Sequence, residues 1–177
     1  MASPISCLSI LVIPLLVTSL FYHVSTADRA LVESICKEMR DKAFCLSELF
    51  SDPQSSTASL YMLGIITVDL NLKAFEEADS QIANILASLT DSLDRSRLSN
   101  CQTNLANAHE QMKAARNAAG GQSYSEEKRL IMDSFVKVAN CNHEYAKAPK
   151  RESPISKLTY NIVELFNIAN QIIAMIG

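Results

Sequence analysis

Residues 98–145 read LSNCQTNLANAHEQMKAARNAAGGQSYSEEKRLIMDSFVKVANCNHEY, and the fold turns on how this stretch is read. Leu98, Cys101, Leu105, Ala108, Met112, Ala115 and Ala119 recur at alternating steps of three and four, the spacing of one helix face. Ile131, Val138, Cys141 and Tyr145 form a second such stripe, interrupted by Ser134 beside Phe135. Gly120-Gly121 separates the two. It is expected to stop the first helix, because glycine takes the left-handed position past a helix end without a Cβ clash. Ser123-Tyr124-Ser125-Glu126 then has the pattern of a capping box opening the next helix. If the helices are antiparallel neighbours, Cys101 and Cys141 meet inside the pair and a disulfide staples the hairpin behind its projecting tip.

Upstream, Ser51-Asp52-Pro53-Gln54-Ser55-Ser56 reads as a turn, with Pro53 barring a helix from running through. Ser56 or Thr57 is expected to cap a long helix whose stripe is Ile65, Val68, Leu72, Phe75, Ala78, Ile82, Ile85 and Leu89. Glu76, Glu77 and Asp79 lie beside the stripe as a solvated acidic face. Thr90-Asp91-Ser92 breaks the pattern before the helix of Cys101. Downstream, Ala146 to Arg151 is a basic, solvated connection. Ser153 as cap and Pro154 at the first helical position open a last helix, striped by Ile155, Leu158, Ile162, Leu165, Ala169, Ile172 and Ile176. Lys157, Asn161, Glu164, Asn167, Asn170 and Gln171 interrupt that run, so it faces a core rather than a membrane. Four long helices with short connections make an up-down-up-down four-helix bundle, an all-α fold.

The N-terminal region divides in two. From Ile5 to Tyr22 no residue is charged, and Ser25-Thr26-Ala27 supplies the small-x-small pattern of signal cleavage after Ala27. The first residues carry no Lys or Arg, which leaves an uncleaved signal anchor as the competing reading. Asp28 to Phe50 follows as a helical appendage, with Leu31, Ile35 and Met39 on one face and Phe44, Leu46 and Leu49 extending it. It is too small for its own core and must lie against something larger. The expected organisation is 1–27, a cleaved signal peptide; 28–50, an N-terminal helical hairpin; and 51–177, the bundle, with 28–177 forming one domain. Cys7 leaves with the signal, so the mature chain keeps Cys36, Cys45, Cys101 and Cys141. An even set in a secreted chain reads as two disulfides with three possible pairings, of which Cys36–Cys45 with Cys101–Cys141 is favoured.

Composition narrows the chemistry. Net charge is −3 with basic residues spread among acidic ones, against a nucleic-acid binder. Glu-x-x-His, which a di-iron bundle needs, is absent: Ala106 precedes His109 at that spacing and Asn140 precedes His143. There is no clustered zinc motif, nucleophile elbow or glycine-rich phosphate loop. No catalytic residue, metal ligand or cofactor is therefore assigned, and an enzyme is not expected. A secreted, stapled bundle without a catalytic site works by presenting a surface to a protein partner. The alternative is a carrier holding an apolar ligand between its helices. The closely set stripes favour the first.

The order and spacing of these features resemble the plant invertase inhibitor and pectin methylesterase inhibitor family over the whole mature chain. The likeness rests on the Cys36/Cys45 hairpin, the Ser51-Asp52-Pro53-Gln54-Ser55-Ser56 segment, Cys101 and Cys141 on successive helices, and Ser153-Pro154-Ile155-Ser156-Lys157 at the last helix. The resemblance implies a hairpin clasped to a four-helix bundle with the disulfide pairing above. It also implies a monomeric apoplastic or vacuolar inhibitor that forms a one-to-one complex with a carbohydrate-active enzyme and blocks its cleft. Invertase inhibitors of this family carry Pro-Lys-Phe between the second and third bundle helices, where this chain has Gln122-Ser123-Tyr124. Pectin methylesterase inhibitors more often have a Tyr-containing sequence there, so pectin methylesterase is the expected target and invertase the alternative. The expected contacts are Gln122, Ser123, Tyr124, Glu126 and Glu127 at the tip. Further departures are Asn142-His143 in place of the acidic pair that commonly follows the last cysteine, and a hairpin without its frequent proline.

Overall fold

The computed structural model describes residues 29–177, and within them the chain is helical. The expected signal peptide lies outside the described residues. Helix α1 covers residues 29–37, α2 Lys42–Ser51 and α3 Leu60–Ser88. Helix α4 covers Ser92–Gly120, α5 Tyr124–Ala146 and α6 Ser156–Ile176, and a 3-10 turn occupies Pro53–Ser56. Helices α3 to α6 pack as a closed square in which each touches the next and α6 returns to α3. The stripes explain this arrangement. Every member of the first, from Leu98 to Ala119, is buried on α4, as are Ile131, Val138, Cys141 and Tyr145 on α5. Ser134, the polar break, is buried too and donates its hydroxyl to the carbonyl of Ala108 across the pair at 2.9 Å. Cys101 and Cys141 are disulfide-bonded with their Cα atoms 4.4 Å apart.

Helices α3 and α6 carry apolar residues on two faces, because each is sandwiched between the bundle interior and the N-terminal hairpin. Phe75, Ala78, Ile162, Phe166 and Ala169 join the interior with α4 and α5. Leu63, Ile66, Leu165, Ile168 and Ile172 face Val32, Ile35 and Leu49 of α1 and α2 in a second cluster, which also holds the Cys36–Cys45 disulfide. Each fully buried Leu or Ile of that second layer contributes about 1.5–3 kcal/mol, so the hairpin is anchored by burial as well as by its cross-link. Val32, outside the anticipated stripe, is fully buried, while Leu31 and Met39 are half-buried.

Two helix starts differ from the sequence expectation. Ser56 and Thr57 do not cap α3. Their hydroxyls are engaged within the 3-10 turn by the carbonyls of Pro53 and Gln54, and Ser59 caps α3 by accepting from the Met62 amide at 3.3 Å. Ser153 does not cap α6 either. It accepts from the Ile155 amide at 3.3 Å and closes a separate turn. Ile155 is 1% exposed, and pulling it into the core bends the chain before the helix begins at Ser156.

Candidate partner-binding site

The tip between α4 and α5 is closed by backbone hydrogen bonds. The Ser123 amide donates to the Ala118 carbonyl at 2.9 Å and the Gln122 amide to the Ala119 carbonyl at 3.0 Å. These are the six-to-one and five-to-two bonds of a helix ended by a left-handed residue. That residue is Gln122, with φ 56°, and neither glycine. Gly120 is the last helical residue and Gly121 sits at φ −88°. The glycine pair therefore marks the helix end one or two positions early, and the side chain forced outward on the strained residue is a glutamine. Ser123 holds the cap position of α5 but makes no side-chain cap bond. The reciprocal half is missing too: Glu126 binds Arg129 at 2.7 Å instead of reaching back, and Arg129 continues to Asp133 at 2.6 Å. The capping-box sequence gives the position without the reciprocal bond.

Of the residues assigned to this tip, Gln122, Ser123 and Glu126 are exposed and Tyr124 is half-buried. The Arg129 hydrogen bond holds the Glu126 carboxyl below its ordinary range. Glu127 departs from the expectation. It is 2% exposed, so it offers no surface to a partner, and burial pushes its carboxyl above the ordinary value. The helix period causes this: Glu127, Leu130, Ile131 and Ser134 share the inner face of α5. Around the tip the bundle is tied together. The Tyr61 hydroxyl donates to the Ala119 carbonyl at 3.3 Å, and Arg116 on α4 pairs with Asp69 on α3 at 2.6 Å.

The opposite end is built on a buried residue that lies outside the apolar stripe. Arg97 is 4% exposed, and its guanidinium donates to the carbonyls of Pro149, Lys147 and Ala148 at 2.9, 3.0 and 3.3 Å. Arg151 bridges Asp91 at 3.0 Å and Asp94 at 2.7 Å. The basic connection is thus pinned to the start of α4 rather than simply solvated. Lys147 pairs with Glu144. A basic residue directly before an apolar stripe, facing a long loop, was the available signal. His109 stacks on Phe75 at 5.6 Å and 18°, its Nε2 is buried without a partner, and desolvation lowers its pKa. His143 is exposed. Among the described residues no group of three His, Cys, Asp or Glu could hold a metal ion, and no helix is long and apolar enough to cross a membrane. On the outer face of α5, Met132 and Val136 are 43% and 53% exposed. Lying off the buried stripe, they could have been singled out from the helical period.

Comparison with known proteins bears on this arrangement. Residues 30–172 match the sequence model described as "Plant invertase/pectin methylesterase inhibitor". A pectinesterase inhibitor of Actinidia deliciosa is 23% identical over 161 residues, covering 90% of this chain and 87% of its own. A protein of Platanus acerifolia named "Putative invertase inhibitor" is 24% identical over 164 residues, 89% of this chain and 90% of its own. The crystal structure of a mutant form of a pectin methylesterase inhibitor from Arabidopsis superposes with TM-score 0.71 at 17% identity, covering 81% of this chain and 95% of that one. At that identity the superposition speaks for the fold alone.

Proposed function

Because the chain belongs to the plant invertase/pectin methylesterase inhibitor family, whose members are inhibitors and not enzymes, we propose that it is an exported inhibitor of pectin methylesterase acting in the cell wall. The observation that carries the choice of target is the tip. Where invertase inhibitors of the family place Pro-Lys-Phe, this chain has a closed turn of Gln122 and Ser123, followed by a half-buried Tyr124 that already belongs to α5. The turn itself carries no basic residue to insert into a sugar-binding cleft. Contact through the tip and the exposed helix faces beside it, Met132 and Val136 included, fits it better. Apolar side chains ringed by charged and polar ones are the usual make-up of a protein-binding patch.

A one-to-one complex in which Gln122, Ser123, Tyr124 and Glu126 meet the enzyme is part of this reading, with Glu127 turned to the inner face of α5 and out of contact. The test is a paired titration of oxidised protein, residues 28–177, against plant pectin methylesterase and cell-wall invertase at mildly acidic pH. Loss of methanol release with sucrose hydrolysis intact supports the assignment. The second reading, an invertase inhibitor, rests on Tyr124 as a partly exposed aromatic able to fill an aromatic subsite. It requires the reverse result, together with a strong loss of inhibition in Tyr124→Ala. Inhibition of neither enzyme means that the fold was kept while the activity was lost or redirected; a carrier of an apolar ligand would instead bind an apolar fluorescent probe stoichiometrically.

A further inference from the structure

Away from the tip, the seam between α5 and α6 is the least closely packed of the four in the bundle, and it opens as a groove. Two clefts of about 540 Å3 and about 310 Å3 share Arg40, Val163 and Glu164 as a common wall. They therefore form one trough along α6 between Ser156 and Gln171, roughly 22 Å at the helical rise. Its lining is not that of a core. Phe135 and Val163 supply an apolar strip, and around them stand the amides of Asn142, Asn167, Asn170 and Gln171. Arg40 lines both clefts with its side chain 83% exposed, and its guanidinium lies 3.6 Å from the Glu164 carboxylate, which is 5% exposed. Tyr160 lines the smaller cleft, its hydroxyl donating to Asp41 at 3.0 Å.

The amide of Asn170 is poorly satisfied. Its Nδ2 reaches only the thioether of Met132 at 3.8 Å, and its Oδ1 is buried without any hydrogen-bond partner. A buried acceptor left unpaired is costly, so this amide gains by turning towards a donor in the groove. Planar amides and a guanidinium–carboxylate pair present donors and acceptors side by side, the pattern that vicinal hydroxyls match. Phe135 offers an apolar surface to the C–H side of a sugar ring. A drug-like apolar ligand would need an enclosed, mainly apolar pocket, and an extended peptide would need a sheet edge or an apolar slot. Neither describes this open, amide-walled trough.

We propose that the α5–α6 groove binds a short oligosaccharide of pyranose rings, hydrogen-bonded by Asn142, Asn167, Asn170 and Gln171 beside Arg40. The bundle then carries a carbohydrate site along its side, separate from the hairpin tip. Neutral and acidic chains share the hydroxyl chemistry, and the exposed edge of Arg40 distinguishes them.

The experiment is an NMR titration of 15N-labelled protein, residues 28–177 with both disulfides formed. One arm uses a neutral cello-oligosaccharide and the other an oligogalacturonide, each to millimolar concentration. Saturable shifts at the four side-chain amides in either arm are expected, and the arm that responds names the source. Asn170→Leu should weaken that binding at least tenfold, while Arg40→Ala should weaken the acidic arm more than the neutral one. The half-buried Gln171→Ala serves as a second variant should Asn170→Leu disturb the fold, which the rest of the amide spectrum reports. No saturable shift in either arm, or shifts confined to other faces, overturns the proposal, as does unchanged affinity in both Asn170→Leu and Gln171→Ala. The titration contains neither esterase nor invertase, so its failure is distinct from a failure of inhibition.

Discussion

Replacing Arg97 with methionine keeps the apolar stem and removes the guanidinium that holds the α5–α6 connection. The native side chain makes two well-formed bonds, to Pro149 and Lys147 at 2.9 and 3.0 Å, and a longer one to Ala148 at 3.3 Å. A hydrogen bond from a charged donor contributes about 1.5–3 kcal/mol, so the two shorter bonds together account for about 3–6 kcal/mol. Part of this is recovered in the variant. Residues 146–150 are exposed, and their freed carbonyls can turn to water, while the methionine no longer buries a charge. The expected net loss is about 2–3 kcal/mol in urea unfolding, read as a lower midpoint at unchanged slope. Hydrogen exchange should report faster opening of the Arg151 amide, which donates to the Tyr145 carbonyl at 3.1 Å. Arg97→Lys should recover only part of the loss, because a single ammonium cannot span three carbonyls as a planar fork does. If Arg97→Met costs under about 0.5 kcal/mol, or if lysine restores full stability, the clamp is an incidental contact and the reasoning fails.

Removing the Cys101–Cys141 bridge by double alanine substitution frees a separation of 40 residues, for which loop entropy gives a loss of about 4 kcal/mol in thermal or urea unfolding. Gln122→Gly should stabilise the chain by about 0.5–1 kcal/mol in the same assay, because glycine takes φ 56° without the Cβ penalty; a destabilised variant would contradict the left-handed closure. Burial raises the Glu127 carboxyl above 4.5, so the native state holds its proton more tightly than the unfolded chain. Stability from that proton is present below the unfolded value and lost as pH rises through the folded one. Glu127→Gln should therefore be more stable than the parent at pH 7 and approach it near pH 4 in pH-dependent melting. His109 runs the other way: its pKa is lowered from 6.5 by desolvation, so stability falls as pH drops through 6.5 towards the folded value. His109→Phe should gain more at pH 5 than at pH 8, and an equal gain at both would remove desolvation as the cause.

Much of the fold was legible because burial on an amphipathic helix follows a period. The apolar part of the buried face of α4 was recovered residue for residue, Arg97 excepted, and the cysteines within two adjacent stripes indicated which sulfurs meet. Legibility ended where a residue serves two partners or where a local bond competes. Leu63, Ile66 and Ile168 face the N-terminal hairpin, and a single stripe per helix has no place for a second buried face. Ser56, Thr57 and Ser153 have the chemistry of caps, yet neighbouring carbonyls and the pull of Ile155 into the core take them elsewhere. The same competition separates the tip residues. Glu126 and Glu127 look alike as first-turn carboxylates, but one helical step of about 100° turns Glu126 to solvent and Arg129, and Glu127 into the core.

Polar burial was the other blind spot. Arg97 and Ser134 interrupt or flank apolar stripes, where the sequence alone reads as surface or defect. In the folded chain Ser134 joins α5 to α4 two turns along from the disulfide, and Arg97 joins α4 to the connection before α6. The two ends of the α4–α5 pair are thereby held by different means. At the tip the closure is backbone bonding around a strained Gln122, while at the far end it is a buried guanidinium and the paired Arg151. Perturbing the far end should lower stability without altering tip geometry, whereas changes at Gln122 or Tyr124 alter the candidate contact surface with little loss of core. A variant pair of Arg97→Met and Tyr124→Ala therefore separates the two. Comparable inhibition by folded Arg97→Met and the parent, against weaker inhibition by an equally stable Tyr124→Ala, places the contact at the tip. The opposite pattern moves it to the far end of the bundle.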